Sequence, residues 1–172
     1  MILVLVRHAP AEDLTEETND HERRLTASGR KKMEKAAAGL AVMLLREKGF
    51  CICSSPKQRS LETAKIVAEY LKVEHIVSDD RLEDGEPQEL LQLVEEHSDK
   101  QVLILTGHEP WISSFSDYLS RQELPYRKGA AAAFKLEEGW QDEGARLLWF
   151  MQPRALRRLS TAYEEIMHKK DK

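Results

Sequence analysis

Ile2-Leu3-Val4-Leu5-Val6-Arg7-His8 is the stretch whose reading decides the fold. An apolar run without alternation is a strand covered on both faces, as in the interior of a parallel sheet. Parallel strands need long crossovers, usually helical, so helices should alternate with strands through the rest of the chain. They do. An acidic, aperiodic loop over 9–24 is followed by a helix capped by Thr26 or Ser28. Its apolar positions Met33, Ala36, Ala37, Leu40, Met43 and Leu44 recur at helical spacing, and it is predicted to reach about Lys48 and close at Gly49. Phe50 to Ser54 reads as a strand, and Pro56 suits the first turn of a helix through about Leu71. A short strand from His75 to Ser78, a polar loop from Asp79 to Glu86 and a helix from Pro87 to His97 burying Leu90, Leu91 and Val94 come next. Gln101 to Thr106 is another buried strand, and Glu109 to Ser120 another helix. Strands at Ala130 to Leu136 and Arg146 to Met151 precede a closing helix from Pro153 to about Met167. The order predicts a three-layer α/β sandwich, with a mostly parallel central sheet and helices on both faces, in a single domain over 1–172.

Bulk properties narrow the function. With 172 residues and 41% hydrophobic content, the chain can bury a sizeable core without a metal or disulfide. Its 26 basic and 30 acidic residues leave a net charge of -4, which disfavours nucleic acid as a partner. No apolar run is long enough for a membrane span: Ile2 to Val6 and Ala36 to Leu45 both fall short, and the first lacks the flanks of a signal peptide. Cys51 and Cys53 lie two apart on a strand, on one face, and are not placed to bond to each other; a cytoplasmic location is the expectation. Any anionic ligand therefore needs a local cluster of positive charge.

Ligands of open α/β sheets bind beyond the carboxyl ends of the strands. Arg7 and His8 follow the first strand, Gly107-His108-Glu109 the strand ending at Thr106, and Ser55-Pro56-Lys57-Gln58-Arg59 the strand ending at Ser54. Three distant segments thus bring cationic or imidazole groups to one edge. Arginine grips two phosphate oxygens at once and stays charged. A neutral histidine can attack phosphorus and then release the group to water, while a second histidine, protonated beside the phosphate, offsets charge on its oxygens. Phosphoryl transfer depends mainly on positioning and electrostatics. The candidate set is Arg7, His8, Arg59 and His108, with no cofactor and no metal; two imidazoles flanked by arginines repel a cation.

Arg7-His8-Ala9, Leu25-Thr26-Ala27-Ser28-Gly29, the run from Ser54 to Ala64 and Thr106-Gly107-His108-Glu109-Pro110 occur in an order that resembles the histidine phosphatase superfamily. The short length and the Arg7-His8-Ala9-Pro10-Ala11 opening are similar to its SixA-type phosphohistidine phosphatase branch, as are the segments Gly129 to Ala133 and Trp149 to Pro153. The resemblance implies a phosphoglycerate mutase-like fold, His8 as nucleophile, and Arg7, Arg59 and His108 as the rest of the phosphate pocket. It further implies a phosphorylated protein as partner, such as a histidine-containing phosphotransfer domain, or a small phosphoester. Ala9 stands where the wider superfamily has glycine. No acid is clearly placed to protonate a leaving alkoxide: Glu83, Asp84, Glu12 and Glu109 are candidates, with Glu83 also a candidate substrate contact. Phosphohistidine, whose leaving nitrogen is readily protonated, demands less of such an acid.

Other readings stay open at this level. A surface position on the helix, or a pair with Glu62 or another nearby acid, is the other reading of Arg59. Arg23 and Arg24 either shape the pocket or form a loop ion pair. His21, His75, His97 and His168 are expected at the surface. Cys53 and Arg59 have the spacing of a cysteine-dependent phosphatase loop, but Pro56 has no N–H and no glycine permits the turns of such a cradle. A small-molecule phosphomonoesterase or mutase, or an adaptor that binds a phosphorylated ligand without turning it over, are the alternatives. The short loop after His75 to Ser78 predicts an open, shallow pocket.

Overall fold

The N-terminal apolar run is strand β1 (Ile2–Arg7), and Leu3 to Val6 are wholly buried, covered on both faces. The computed structural model describes residues 1–170; Asp171 and Lys172, included in the expected domain, lie outside the described residues. After β1 come a 3₁₀ turn at Asp20–Glu22, helix α1 (Ala27–Met43), β2 (Phe50–Ser54), α2 (Gln58–Leu71) and β3 (Ile76–Ser78). Then follow α3 (Arg81–Asp84), α4 (Pro87–Glu96), β4 (Val102–Gly107), α5 (Trp111–Ser120), β5 (Ala131–Lys135), α6 (Trp140–Glu143), β6 (Arg146–Met151) and α7 (Pro153–Lys170).

One six-stranded sheet carries the order β3-β2-β4-β1-β5-β6. β3, β2, β4 and β1 run parallel, while β5 and β6 are antiparallel to their neighbours, so the sheet is mostly parallel. Alternate side chains feed two cores. Val4, Val6, Ile52, Ile104 and Ala133 pack with Met33, Ala37, Leu40, Val67 and Leu156 of α1, α2 and α7. Leu3, Leu5, Cys53, Leu103 and Leu105 pack with Leu82, Leu90, Val94, Trp111 and Phe115 of α3, α4 and α5. Each fully buried aliphatic side chain contributes about 2 kcal/mol. Both faces of β1 and β4 are therefore committed to packing, and only their ends are free to carry chemistry. Helices α1 and α7 touch closely at Gly39, where an added Cβ would sit 2.0 Å from the Leu156 carbonyl oxygen.

Thr26 is the N-cap of α1, its hydroxyl accepting from the Gly29 N–H at 2.9 Å. Several boundaries depart from the predicted ones. α1 stops at Met43 rather than near Lys48, because Leu44 leaves the helix and Leu45 is exposed, offering no further core face. Gly49 instead takes a positive φ of 64° just before β2. α2 starts at Gln58, after Pro56, and α5 at Trp111 rather than Glu109. The expected polar loop over 79–86 contains α3, whose Leu82 is wholly buried. In α4 the buried residues are Leu90, Leu93 and Val94; Leu91 is only partly covered. No described helix is long and apolar enough to cross a membrane.

Candidate active site

The first strand and the last parallel strand laid down, β1 and β4, are neighbours at the centre of the sheet. β2 and β3 lie to one side of them and β5 and β6 to the other. That reversal of strand order opens a crevice at their carboxyl ends. Register does the rest: Arg7 pairs with Gly107, so His8 and His108 are the next residue on each strand. The His8 N–H donates to the Gly107 carbonyl at 2.9 Å, and the two imidazole centroids are 5.0 Å apart. Ser54 pairs with Thr106, which brings Ser55 beside His108. Gly107 is required here: an added Cβ would meet the buried Trp111 ring at 2.0 Å. The Trp111 indole N–H in turn donates to the Leu82 carbonyl at 2.8 Å, tying α5 to α3 beneath the site.

Each imidazole has a defined orientation. His8 Nδ1 lies 2.7 Å from the Ala9 carbonyl, which can only accept, so Nδ1 carries the proton and Nε2 keeps its lone pair. Nε2 has no hydrogen-bond partner among the described residues. Burial, with Arg59, Arg7 and Lys128 adding to it and the Ala9 carbonyl opposing, lowers the His8 pKa to about 3. Burial, then His8, Arg59 and Lys57, lowers that of His108 to about 2. Both rings are therefore neutral near pH 7. His108 Nε2 contacts the Ser55 hydroxyl at 2.8 Å, leaving Nδ1 turned elsewhere.

Arg7 donates from a terminal nitrogen to the Tyr126 carbonyl at 2.5 Å, and Gly129 N–H binds the Arg7 and His8 carbonyls. Arg59 is buried, not a surface residue, and its partner is Asp20 rather than Glu62. It donates to the Asp20 carbonyl at 2.7 Å and to the Asp20 carboxylate at 3.2 Å. Glu62 instead accepts from Leu25 N–H, Arg30 and Gln58, holding the loop to α2. Thr63 accepts from Ala9 N–H at 3.1 Å and donates to the Arg59 carbonyl, joining the two halves of the site.

Three buried nitrogens lack a hydrogen-bond partner among the described residues: Arg7 Nε, Arg59 Nε and His108 Nδ1. Leaving such a group unsatisfied costs about 1–3 kcal/mol each. All three belong to the residues singled out from sequence, and the two arginine Nε–H groups can only donate. The arrangement suits an anion with several acceptor oxygens and, beside it, the unprotonated His8 Nε2.

Asp20 and Ser55 are site residues that sequence reasoning missed. Asp20 joins the sites of Arg59, Lys57 (3.2 Å) and Arg23 (2.8 Å). Although burial pulls the other way, hydrogen bonds from Arg23, Arg59 and Lys57 hold its carboxyl well below the usual range. The 3₁₀ turn thus lies against the Arg59 side of the site. Arg23 forms a loop ion pair that borders the site, whereas Arg24 is exposed. Glu83 lies at the rim, 3.3 Å from His21 Nε2 and 3.8 Å from Lys57 Nζ, so the exposed His21 is not remote from the site. Glu109 is 4.0 Å from Arg7 and accepts from the Ser113 hydroxyl. Glu12 is exposed and accepts from Arg24 N–H, and Asp84 is exposed. His75 and His168 are exposed as expected, but His97 is partly buried, with its ring near Cys53. Burial pushes the Cys53 thiol far up, which removes the thiolate a cysteine-dependent phosphatase needs.

Fold and site together place paired histidines at the strand switch point of an α/β sandwich. The chain belongs to the histidine phosphatase superfamily (branch 1), whose model matches residues 3–123, and it is a phosphatase of that class. No curated protein matches it in sequence. Among solved structures it is similar to the protein histidine phosphatase SixA complexed with tungstate, at 17% identity and TM-score 0.77, covering 91% of this chain and 99% of that one. A candidate SixA phosphohistidine phosphatase from Agrobacterium tumefaciens aligns at 21% identity and TM-score 0.74, covering 88% and 97%. A phosphoserine phosphatase from Entamoeba histolytica, a mutant in complex with phosphoserine, aligns at 15% identity and TM-score 0.67, covering 90% and 98%.

Proposed function

We propose that the chain is a SixA-type phosphohistidine phosphatase that removes phosphate from a histidine of a partner protein, by way of a phosphoryl group carried on His8. The observation that supports this most directly is the His8 imidazole: neutral, its Nδ1 proton tied to Ala9, its ring 5.0 Å from that of His108 and within the influence of the Arg59 and Arg7 charges. The Nε2 lone pair attacks phosphorus, the bond to the substrate nitrogen breaks, and that nitrogen takes up a proton as it leaves. Water then attacks the phosphoryl group on His8 and releases inorganic phosphate. Arg7 and Arg59 neutralise the transferring oxygens, and His108 contributes from the adjacent strand end, its ring oriented by Ser55. No metal or cofactor takes part in this scheme. A cytoplasmic setting and action as a single domain belong to the same reading.

The carboxylates support the choice of a nitrogen leaving group. Glu12 is engaged away from the site and Glu109 binds Ser113. Glu83 is the one near the rim, and its place beside Lys57 and His21 favours a second reading, hydrolysis of a small phosphomonoester with Glu83 as acid. The two are separated by comparing kcat/KM for a phosphohistidine-bearing phosphotransfer domain and for phosphoserine, in wild type and Glu83→Gln. Preference for the phosphoprotein, little changed in Glu83→Gln, is expected. Preference for phosphoserine that collapses in Glu83→Gln would overturn the proposal in favour of the second reading.

A further inference from the structure

A second group of chemically able side chains lies on the α4 side of β2, outside the site above. Cys51 and Cys53 share a strand face, as two-residue spacing dictates, and both pack against the core that includes α4. His97 caps the C-terminus of α4 and completes the group: a sulfur from each cysteine and a ring nitrogen lie within 4.8 Å of one another. The imidazole is already oriented. Its Nδ1 lies 2.9 Å from the Leu93 carbonyl, an acceptor only, so Nδ1 is the protonated nitrogen and Nε2 keeps its lone pair. That lone-pair nitrogen is 3.7 Å from Cys53 Sγ.

The His97–Cys53 separation is close to one edge of a tetrahedral thiolate–imidazole centre. Bonds of about 2.3 Å to sulfur and about 2.0 Å to nitrogen set the nitrogen–sulfur edge at about 3.5 Å. A carbonyl behind the ring is the support that metal-ligating histidines normally have. Neighbouring charge also favours a cation: Arg81 is held by both Asp79 and Glu96 at 2.7 Å, so this trio carries a net negative charge. We propose that Cys51, Cys53 and His97 form a binding site for zinc, with water as the fourth ligand. Binding releases the two thiol protons and exchanges one S–H bond in each cysteine for a sulfur–zinc bond, with no change of oxidation state. The bound ion pins the end of α4 to β2. It plays no part in the chemistry at His8, and the inference does not rest on the proposed substrate.

The test is metal titration of the full chain without an affinity tag, reduced and stripped of metal. One equivalent of cobalt(II) should produce intense near-ultraviolet thiolate-to-metal absorption. Zinc should displace it and raise Tm. Cys51→Ala and His97→Ala, both at partly exposed positions, should fold and should each weaken zinc binding about a hundredfold or more. His8→Ala should leave zinc affinity unchanged. Absence of the charge-transfer band, or equal zinc affinity in wild type and both site variants, would overturn the proposal and leave only a thiol–imidazole hydrogen bond.

Discussion

Asp20→Asn tests how the anion pocket is guarded. The Asp20 carboxylate holds Arg59 and Lys57, each at 3.2 Å, and so competes with an incoming phosphate for Arg59. The Asn substitution keeps the size of the side chain and the bond from Arg59 to the Asp20 carbonyl, and removes only the competing charge. Asp20 is about one-third exposed, at 34%, so solvent screening holds the Lys57 pair to about 0.5 kcal/mol. The nearly buried Arg59 end raises the sum to about 1.5 kcal/mol, which corresponds to roughly tenfold. Competitive inhibition by inorganic phosphate should therefore tighten about tenfold, while loss of the Arg23 pair costs less than about 1 kcal/mol of stability. The inhibition constant and a denaturant titration, run on the same preparations, read the two effects separately. An inhibition constant that is unchanged or weaker would refute the reasoning and make Asp20 a support for Arg59 instead of a competitor for its ligand.

Three further outcomes follow from the geometry. Gly107→Ala should lose about 3 kcal/mol of stability, since the new methyl meets the Trp111 ring in a filled core; a denaturation midpoint like that of wild type would contradict this. Ser55→Ala should lower kcat/KM about tenfold through a misplaced His108 ring at a stability cost of about 1 kcal/mol, and an unchanged kcat/KM would show that other contacts orient the ring. His8 and His108 have folded pKa values of about 3 and about 2, below the ordinary 6.5, so between these limits the unfolded chain binds more protons. Stability should then be complete above pH 6.5 and fall on acidification toward pH 3, and replacing both histidines by Gln should flatten that fall; an equally steep profile in the double variant would sink the assignment.

Strand ends were the legible part of this molecule. The unbroken run from Ile2 to Val6 marks a doubly covered strand, and its pairing with Val102 to Thr106 puts His8 and His108 side by side. Less could be read where few residues act together. α3 is a four-residue turn, too short to show a period, and only Leu82 anchors it. Asp20 lies in an aperiodic acidic loop whose course is set by the Ala11–Leu25 bridge and the Arg23 bond to the Glu12 carbonyl, neither of which leaves a pattern. Ser55, before a proline, reads as a turn residue; its contact with His108, 53 residues away in the chain, depends on register between strands, which local signals do not report. His97 has no motif around it, and only the packing of α4 on β2 shows its neighbours.

The most direct test of the phosphohistidine mechanism is to expose wild type, His8→Ala and Cys53→Ser to a labelled phosphodonor and quench at alkaline pH. The expected result is a label that is stable to base, labile to acid, present in wild type and Cys53→Ser and absent from His8→Ala. A label that survives in His8→Ala, or one lost only in Cys53→Ser, would contradict it.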